Sequence, residues 1–266
     1  MSFSIQGKTA IVTGAASGVG LAIGRHFVDK GANVMFADLN EKLLKHELGE
    51  NEDGANKRWF AGDLREKLTL ANLLSATIDA FEDVDVLVNA SRQMLPSDPL
   101  NPDDDAVEQL WNQNLMTALR LSQLVAKRMI KQAEGQEEGP VGSIVNLSSI
   151  AGRRTHPDLL GYSIASAAVD QMTRSLAVAL APHRIRVNAI AFGSVMSASL
   201  KDTLRDNKTY REDIEAHTPL GRIAAPTEMA EAVQYLACDG SSFMTGQIMT
   251  VDGGRSLLDP VSAPAH

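Results

Sequence analysis

Cysteine is nearly absent: Cys238 is the only one in 266 residues. No intramolecular disulfide can form, and the chain suits a reducing compartment. Positive charge is also short, with 25 Lys and Arg against 33 Asp and Glu and a net charge of −8. That balance argues against nucleic acid or an anionic membrane as the main partner. No apolar run is long enough to span a bilayer. Met1–Thr13 passes straight into a strand-like run without a basic region, apolar core or cleavage site, so the expectation is a soluble, cytoplasmic protein. The six histidines are scattered and have no cysteine cluster beside them, so no metal site is expected. A Gly-x-Ser-x-Gly elbow before a helix is missing, which speaks against a hydrolase of that type. No Gly-Lys-Ser/Thr follows the glycines near the N-terminus, so there is no NTPase phosphate loop.

What is present is an alternation of apolar strand-like runs and helical patterns from end to end. Thr9–Val12, Asn33–Ala37, Val84–Asn89, Ser143–Leu147, Arg186–Ala191 and Gln247–Val251 read as strands. Val19–Asp29 has helical spacing and stops at Gly31, a suitable C-terminal cap. Asp103–Lys131 reads as one long helix, with Val107, Trp111, Asn114, Ala118, Leu121 and Val125 on a stripe. Tyr162–Leu180 reads as another. The predicted fold class is α/β, a doubly wound parallel sheet forming a single domain over residues 1–266. Ser194–Ile223 breaks the rhythm as an insertion over a binding cleft would, and Asp259–His266, with two prolines, reads as a loosely held tail.

The turn Thr13-Gly14-Ala15-Ala16-Ser17-Gly18-Val19-Gly20 follows the first strand and opens the first helix. Glycines there let the backbone turn sharply and bring a pyrophosphate against the helix N-terminus. About 20 residues on, the second strand ends in Asp38, followed by Leu39. A carboxylate at that place accepts hydrogen bonds from ribose hydroxyls and repels a 2′-phosphate, which favours NAD over NADP. Asp38 as the N-cap of the next helix is a compatible alternative.

The spacing Gly-x-x-x-Gly-x-Gly resembles the short-chain dehydrogenase/reductase family. So does Asn146-Leu147-Ser148-Ser149-Ile150-Ala151-Gly152, with Tyr162 thirteen residues after Ser149. The resemblance runs from about Gly7 to Gly254 and includes Pro219-Leu220-Gly221-Arg222 and the segment Thr245–Gly254. It implies a Rossmann-type fold, a nicotinamide dinucleotide, alcohol–ketone interconversion, and a homo-oligomer, tetramer or dimer, that pairs the two long helices. Tyr162 would be the general acid/base, Ser149 the holder of the substrate oxygen, and Asn114 the anchor of a water. The resemblance places the cofactor against Gly14, Ser17, Gly18, Val19, Gly20, Asp38, Leu39, Asp63, Leu64, Asn89, Tyr162 and Val195, with Asp63 at the adenine. By position alone, Asp63 reads equally well as a loop cap. Met196, Leu200, Leu204 and Tyr210 suggest a small, partly apolar substrate.

Three departures from the family pattern surround one site. Its lysine, four residues after the tyrosine, is Ser166 here. Its Asn-Asn-Ala-Gly is Asn89-Ala90-Ser91-Arg92, and its Pro-Gly is Phe192-Gly193. Ser166 lies one helical turn from Tyr162 and supplies no charge. An unassisted phenol ionises near pH 10, so alcohol oxidation would climb toward that pH. One of Arg92, Arg153 and Arg154 could supply the missing field or bind an anionic substrate. The alternative reading is a non-catalytic dinucleotide-binding or structural subunit.

Overall fold

The computed structural model describes residues 2–207 and 209–259, so the tail beyond Asp259 lies outside the described residues. β1 (Thr9–Thr13), β2 (Asn33–Asp38), β3 (Lys57–Ala61), β4 (Val86–Asn89), β5 (Gly142–Ser149), β6 (Ile185–Phe192) and β7 (Ile248–Val251) form one sheet. Its order is β3-β2-β1-β4-β5-β6-β7, and all pairs are parallel.

Alternation along the strands divides the core between the two faces of the sheet. Ala10, Val12, Val34, Phe36, Val86, Val88 and Val145 pack on one side with α1 (Gly18–Asp29), α2 (Glu41–Leu48) and α9 (Pro226–Ala237). Ile11, Met35, Leu87 and Ile144 pack on the other with α3 (Lys67–Phe81), α5 (Thr117–Gln132) and α6 (Leu160–Leu180). A buried polar chain clasps the centre. Asn89 donates to Ser122 at 3.0 Å and to Asn146 at 2.8 Å, and Asn146 donates to Thr173 at 2.9 Å. It joins β4, β5, α5 and α6 where an unpaired amide would be costly.

The six expected strands are present within a few residues of their expected ends. β3 is the addition; its residues Lys57 and Arg58 at an edge of the sheet gave no apolar run to read. The helix expected over Asp103–Lys131 is broken. α4 (Ala106–Leu110) passes through a π-turn at Trp111–Met116 before α5 begins. One extra residue in that turn shifts the buried face, so Trp111 is exposed while Asn114 and Leu115 are buried. The segment Ser194–Ile223 carries two helices, α7 (Ala198–Asp206) and α8 (Thr209–Ala216).

Candidate active site

The chain order reverses between β1 and β4, and the segments leaving the carboxyl ends of the strands meet at that crevice, where open α/β sheets bind ligands. The turn after β1 is tight. Gly14 has φ +62°, and a Cβ there would lie 2.7 Å from Cα of Ser91. A Cβ on Gly20 would lie 2.2 Å from the carbonyl oxygen of Gly14. Ser17 is the N-cap position of α1, makes no capping bond with its side chain, and is exposed. Gly18 and Val19 begin the helix, half-buried. An anion at this helix start would meet unpaired N–H groups, so the turn fits a pyrophosphate.

Asp38 ends β2 beside that turn. Its Oδ2 accepts from the Ala16 N–H at 3.1 Å and its Oδ1 from the Asn40 N–H at 2.9 Å. The N-cap of α2 is Asn40, whose Oδ1 accepts from Leu43. The capping alternative for Asp38 is therefore replaced by a carboxylate tied to the glycine turn. Leu39 is exposed. Asp63 is held by Arg65, which donates from Nε and Nη2 to both carboxylate oxygens and keeps its pKa below the usual range. Leu64 is buried behind it. The side chain of Asn89 is spent on the clasp between strands. Val195 is buried and bridges Ala224 at the root of the α7–α8 segment.

At the other end of the crevice, Ser149 ends β5 and its Oγ accepts from the Ala151 N–H at 3.2 Å. Tyr162, in the first turn of α6, is buried in a cluster with Leu110, Ala151 and Ala165. Ser166 is buried one turn further on, and its carbonyl accepts from Ser148 Oγ at 3.3 Å. Asn114 sits in the π-turn and clamps the backbone of Gln93, accepting from its N–H and donating to its carbonyl, both at 2.8 Å.

That clamp belongs to a set that pins the segment after β4. Thr13 Oγ1 accepts from the N–H groups of Ala90 and Ser91, both at 3.0 Å, and Gln113 donates to Ser91 Oγ at 3.0 Å. Between these anchors stands Arg92. Its Nη1 donates to the Ser148 carbonyl at 2.6 Å. Its guanidinium carbon lies 5.0 Å from the ring centroid of Tyr162 and 4.6 Å from that of Phe192. Burial lowers its pKa to about 10.

Sequence reasoning missed Thr13 and Gln113. A hydroxyl in an otherwise apolar strand was a usable signal for Thr13; nothing in the local pattern marked Gln113. Among the described residues there is no group of His, Cys, Asp and Glu fit to hold a metal ion, and no helix is long and apolar enough to cross a membrane.

A glycine-turn crevice in a doubly wound sheet, with a tyrosine and a serine across it, defines the class of dinucleotide-dependent oxidoreductases. The chain belongs to the short-chain dehydrogenase/reductase family, whose members bind nicotinamide dinucleotides; the family described as Enoyl-(Acyl carrier protein) reductase matches residues 14–256. Cis-4-hydroxycyclohexanecarboxylate dehydrogenase of Sinomonas cyclohexanicum is 34% identical over 251 residues, 94% of this chain and 97% of that protein. L-rhamnose 1-dehydrogenase (NAD(P)(+)) of a Sphingomonas species is 32% identical over 256 residues, 94% and 96% of the two chains. Among solved structures, a 7α-hydroxysteroid dehydrogenase complexed with NADH and 7-oxo glycochenodeoxycholic acid superposes with a TM-score of 0.86 at 30% identity, over 95% of this chain and 96% of that one.

Proposed function

We propose that the protein is an NAD-dependent oxidoreductase that interconverts a secondary alcohol and a ketone on a small, partly apolar molecule. The observation that carries the NAD reading is the Asp38 carboxylate, fixed by the Ala16 N–H beside the glycine turn. Each of its oxygens already takes one backbone N–H and keeps capacity for a ribose hydroxyl. No lysine or arginine lies in Gly14–Gly20 to balance a 2′-phosphate. The relatives' names give a hydroxycyclohexanecarboxylate and a sugar, and the solved neighbour's a hydroxysteroid, which supports the alcohol–ketone reading.

The bound dinucleotide gives or takes the hydride. Ser149 hydrogen-bonds the substrate oxygen, and Tyr162 donates a proton to that oxygen in reduction and removes it in oxidation. Asn114 acts by fixing the segment after β4 through Gln93. Residues of the α7–α8 segment cover the substrate: Leu204 is buried, Leu200 is half-buried and Tyr210 is exposed. The protein works as a homo-oligomer, and exposed Trp111, Ile164 and Val178 on the helices flanking the crevice suit that.

Fluorescence titration with NADH, and with NADPH as control, tests the reading without knowledge of the substrate. Micromolar binding of NADH with much weaker binding of NADPH is the expected outcome. Failure of both to bind would leave the glycine turn as scaffold and remove the dehydrogenase reading.

A further inference from the structure

The structure sorts the three arginines near the crevice. Arg153 is exposed and reaches Asp170 at 3.6 Å; Arg154 is exposed and donates to the Ser256 carbonyl at 3.0 Å. Arg92 is half-buried. Its guanidinium lies over the rings of Tyr162 and Phe192 and is bonded to the Ser148 carbonyl. No carboxylate among the described residues pairs with it, and burial is the cause that lowers its pKa to about 10. A two- to three-unit gap still leaves it almost wholly charged at neutral pH. A half-buried cation stacked on a tyrosine ring, with no carboxylate of its own, is placed to stabilise negative charge that develops on that ring.

We propose that Arg92 is a positioning residue for Tyr162, supplying from the segment after β4 the positive charge that Ser166 does not supply from α6. The proposal rests on the reading of Tyr162 as the proton donor and acceptor. The phenolate of Tyr162 is then the transient counter-anion. A guanidinium over the ring face is attracted to the neutral phenol and more strongly to the charged one.

Two departures in the sequence become one device. Arg92 brings the charge, and Phe192, where a proline was expected, forms the second wall that holds it. Thr13, Gln113 and Asn114 fix the backbone on either side, so the charge is pre-positioned and little reorganisation is required when the phenol ionises. The unassisted phenol expected from Ser166 is replaced by an assisted one, and alcohol oxidation reaches its plateau well below pH 10.

Other charged groups on the elements packed against Tyr162 are placed differently. Asp104, Asp105 and Glu108 belong to α4 and its lead-in, and His156 and Asp158 precede α6; these are exposed or half-buried. Asp170, two turns along α6, is buried and faces Arg153. Among the described residues, Arg92 is the cation that lies over the Tyr162 ring.

The test reads the phenol directly, with neither cofactor nor substrate. The chain has three tyrosines, Tyr162, Tyr210 and Tyr235, few enough for an alkaline titration of phenolate absorbance to resolve. In the wild type one tyrosine is expected to ionise about 1–3 pH units below the ordinary value. Tyr162→Phe should abolish that early step, Arg92→Lys should keep it, and Arg92→Gln should move it up to the ordinary range or above. Absence of an early step in the wild type, or its survival unchanged in Arg92→Gln, would overturn the proposal. Should Arg92→Gln fail to fold, Arg92→Met, similar in length and uncharged, gives the same two readings. Loss of NADH binding would remove the dehydrogenase reading and leave this titration standing; a missing early step beside intact NADH binding would remove the role of Arg92 alone.

Discussion

At the β1–β2 end of the crevice the site is made of backbone; at the β4–β6 end it is made of side chains. Gly14, Gly20 and the N–H groups at the start of α1 leave space and donors whose positions follow from the turn itself. Around Tyr162, by contrast, the arginine Arg92 lies over its ring and that of Phe192, and Ser166 follows one helical turn on, at positions where the sequence resemblance leads one to expect a glycine, a proline and a lysine. A backbone site tolerates almost no substitution, because a single Cβ collides with main chain that cannot move away. A side-chain site can be rebuilt from another strand as long as charge and shape arrive at the same place.

Gly20→Ala gives the comparison its hardest test. The new Cβ would lie 2.2 Å from the Gly14 carbonyl oxygen and 3.1 Å from that of Thr13, so β1 and α1 must separate. A loss of about 3 kcal/mol in a denaturant melt is expected, at the upper end of overpacking costs. NADH affinity should fall at least about tenfold with it, since the N–H groups leave their positions. A variant as stable as the wild type would show that the turn yields, and the contrast between the two ends would collapse.

Asp38→Asn is the next largest. The amide keeps the size and removes the charge, so repulsion of a 2′-phosphate disappears while one ribose acceptor becomes a donor. The ratio of NADPH to NADH affinity should rise about 10- to 100-fold, one to two steps of 1.4 kcal/mol, within the range of like-charge penalties. Paired fluorescence titrations measure it directly. An unchanged ratio would mean that Asp38 only braces the glycine turn through Ala16 and that cofactor choice is made elsewhere.

How much of this was legible in the sequence differs between the same two ends. Strands buried on both faces announce themselves as apolar runs, and the glycine turn is required by sterics, so β1, β2, β4, β5, β6 and the first turn could be read locally. β3 could not, because an edge strand with Lys57 and Arg58 carries no such run. The π-turn at Trp111–Met116 also escaped: a helical stripe read at 3.6 residues per turn has no place for one extra residue, and Trp111 was assigned to the wrong face. At the β4–β6 end, Tyr162, Ser149 and the three residues that differ from the expected pattern were visible in the sequence. What joins Arg92 to Phe192 is a contact across 100 positions in sequence, and only the fold brings it about.

The smallest effect concerns what the rebuilt end costs the fold. Arg92 is held near pKa 10, below the ordinary arginine value, because partial burial disfavours its charged form. The unfolded chain therefore binds that proton more tightly than the native one, and folding is disfavoured by the difference. This cost is fully present below pH 10 and shrinks as pH rises through that value toward the unfolded one. The two ring contacts and the bond to Ser148 favour the charged form and keep the shift from being larger. Arg92→Met is accordingly expected to be more stable than the wild type by about 1 kcal/mol at neutral pH, a rise in Tm of about 2–3 °C. The gain should fade in strongly alkaline buffer. A functional charge kept against the interest of the fold behaves this way, since a site retained for chemistry commonly sacrifices stability. An Arg92→Met protein that melts lower instead would make Arg92 a strut of the fold, and the rebuilt end would then be explained by packing rather than by the proton of Tyr162.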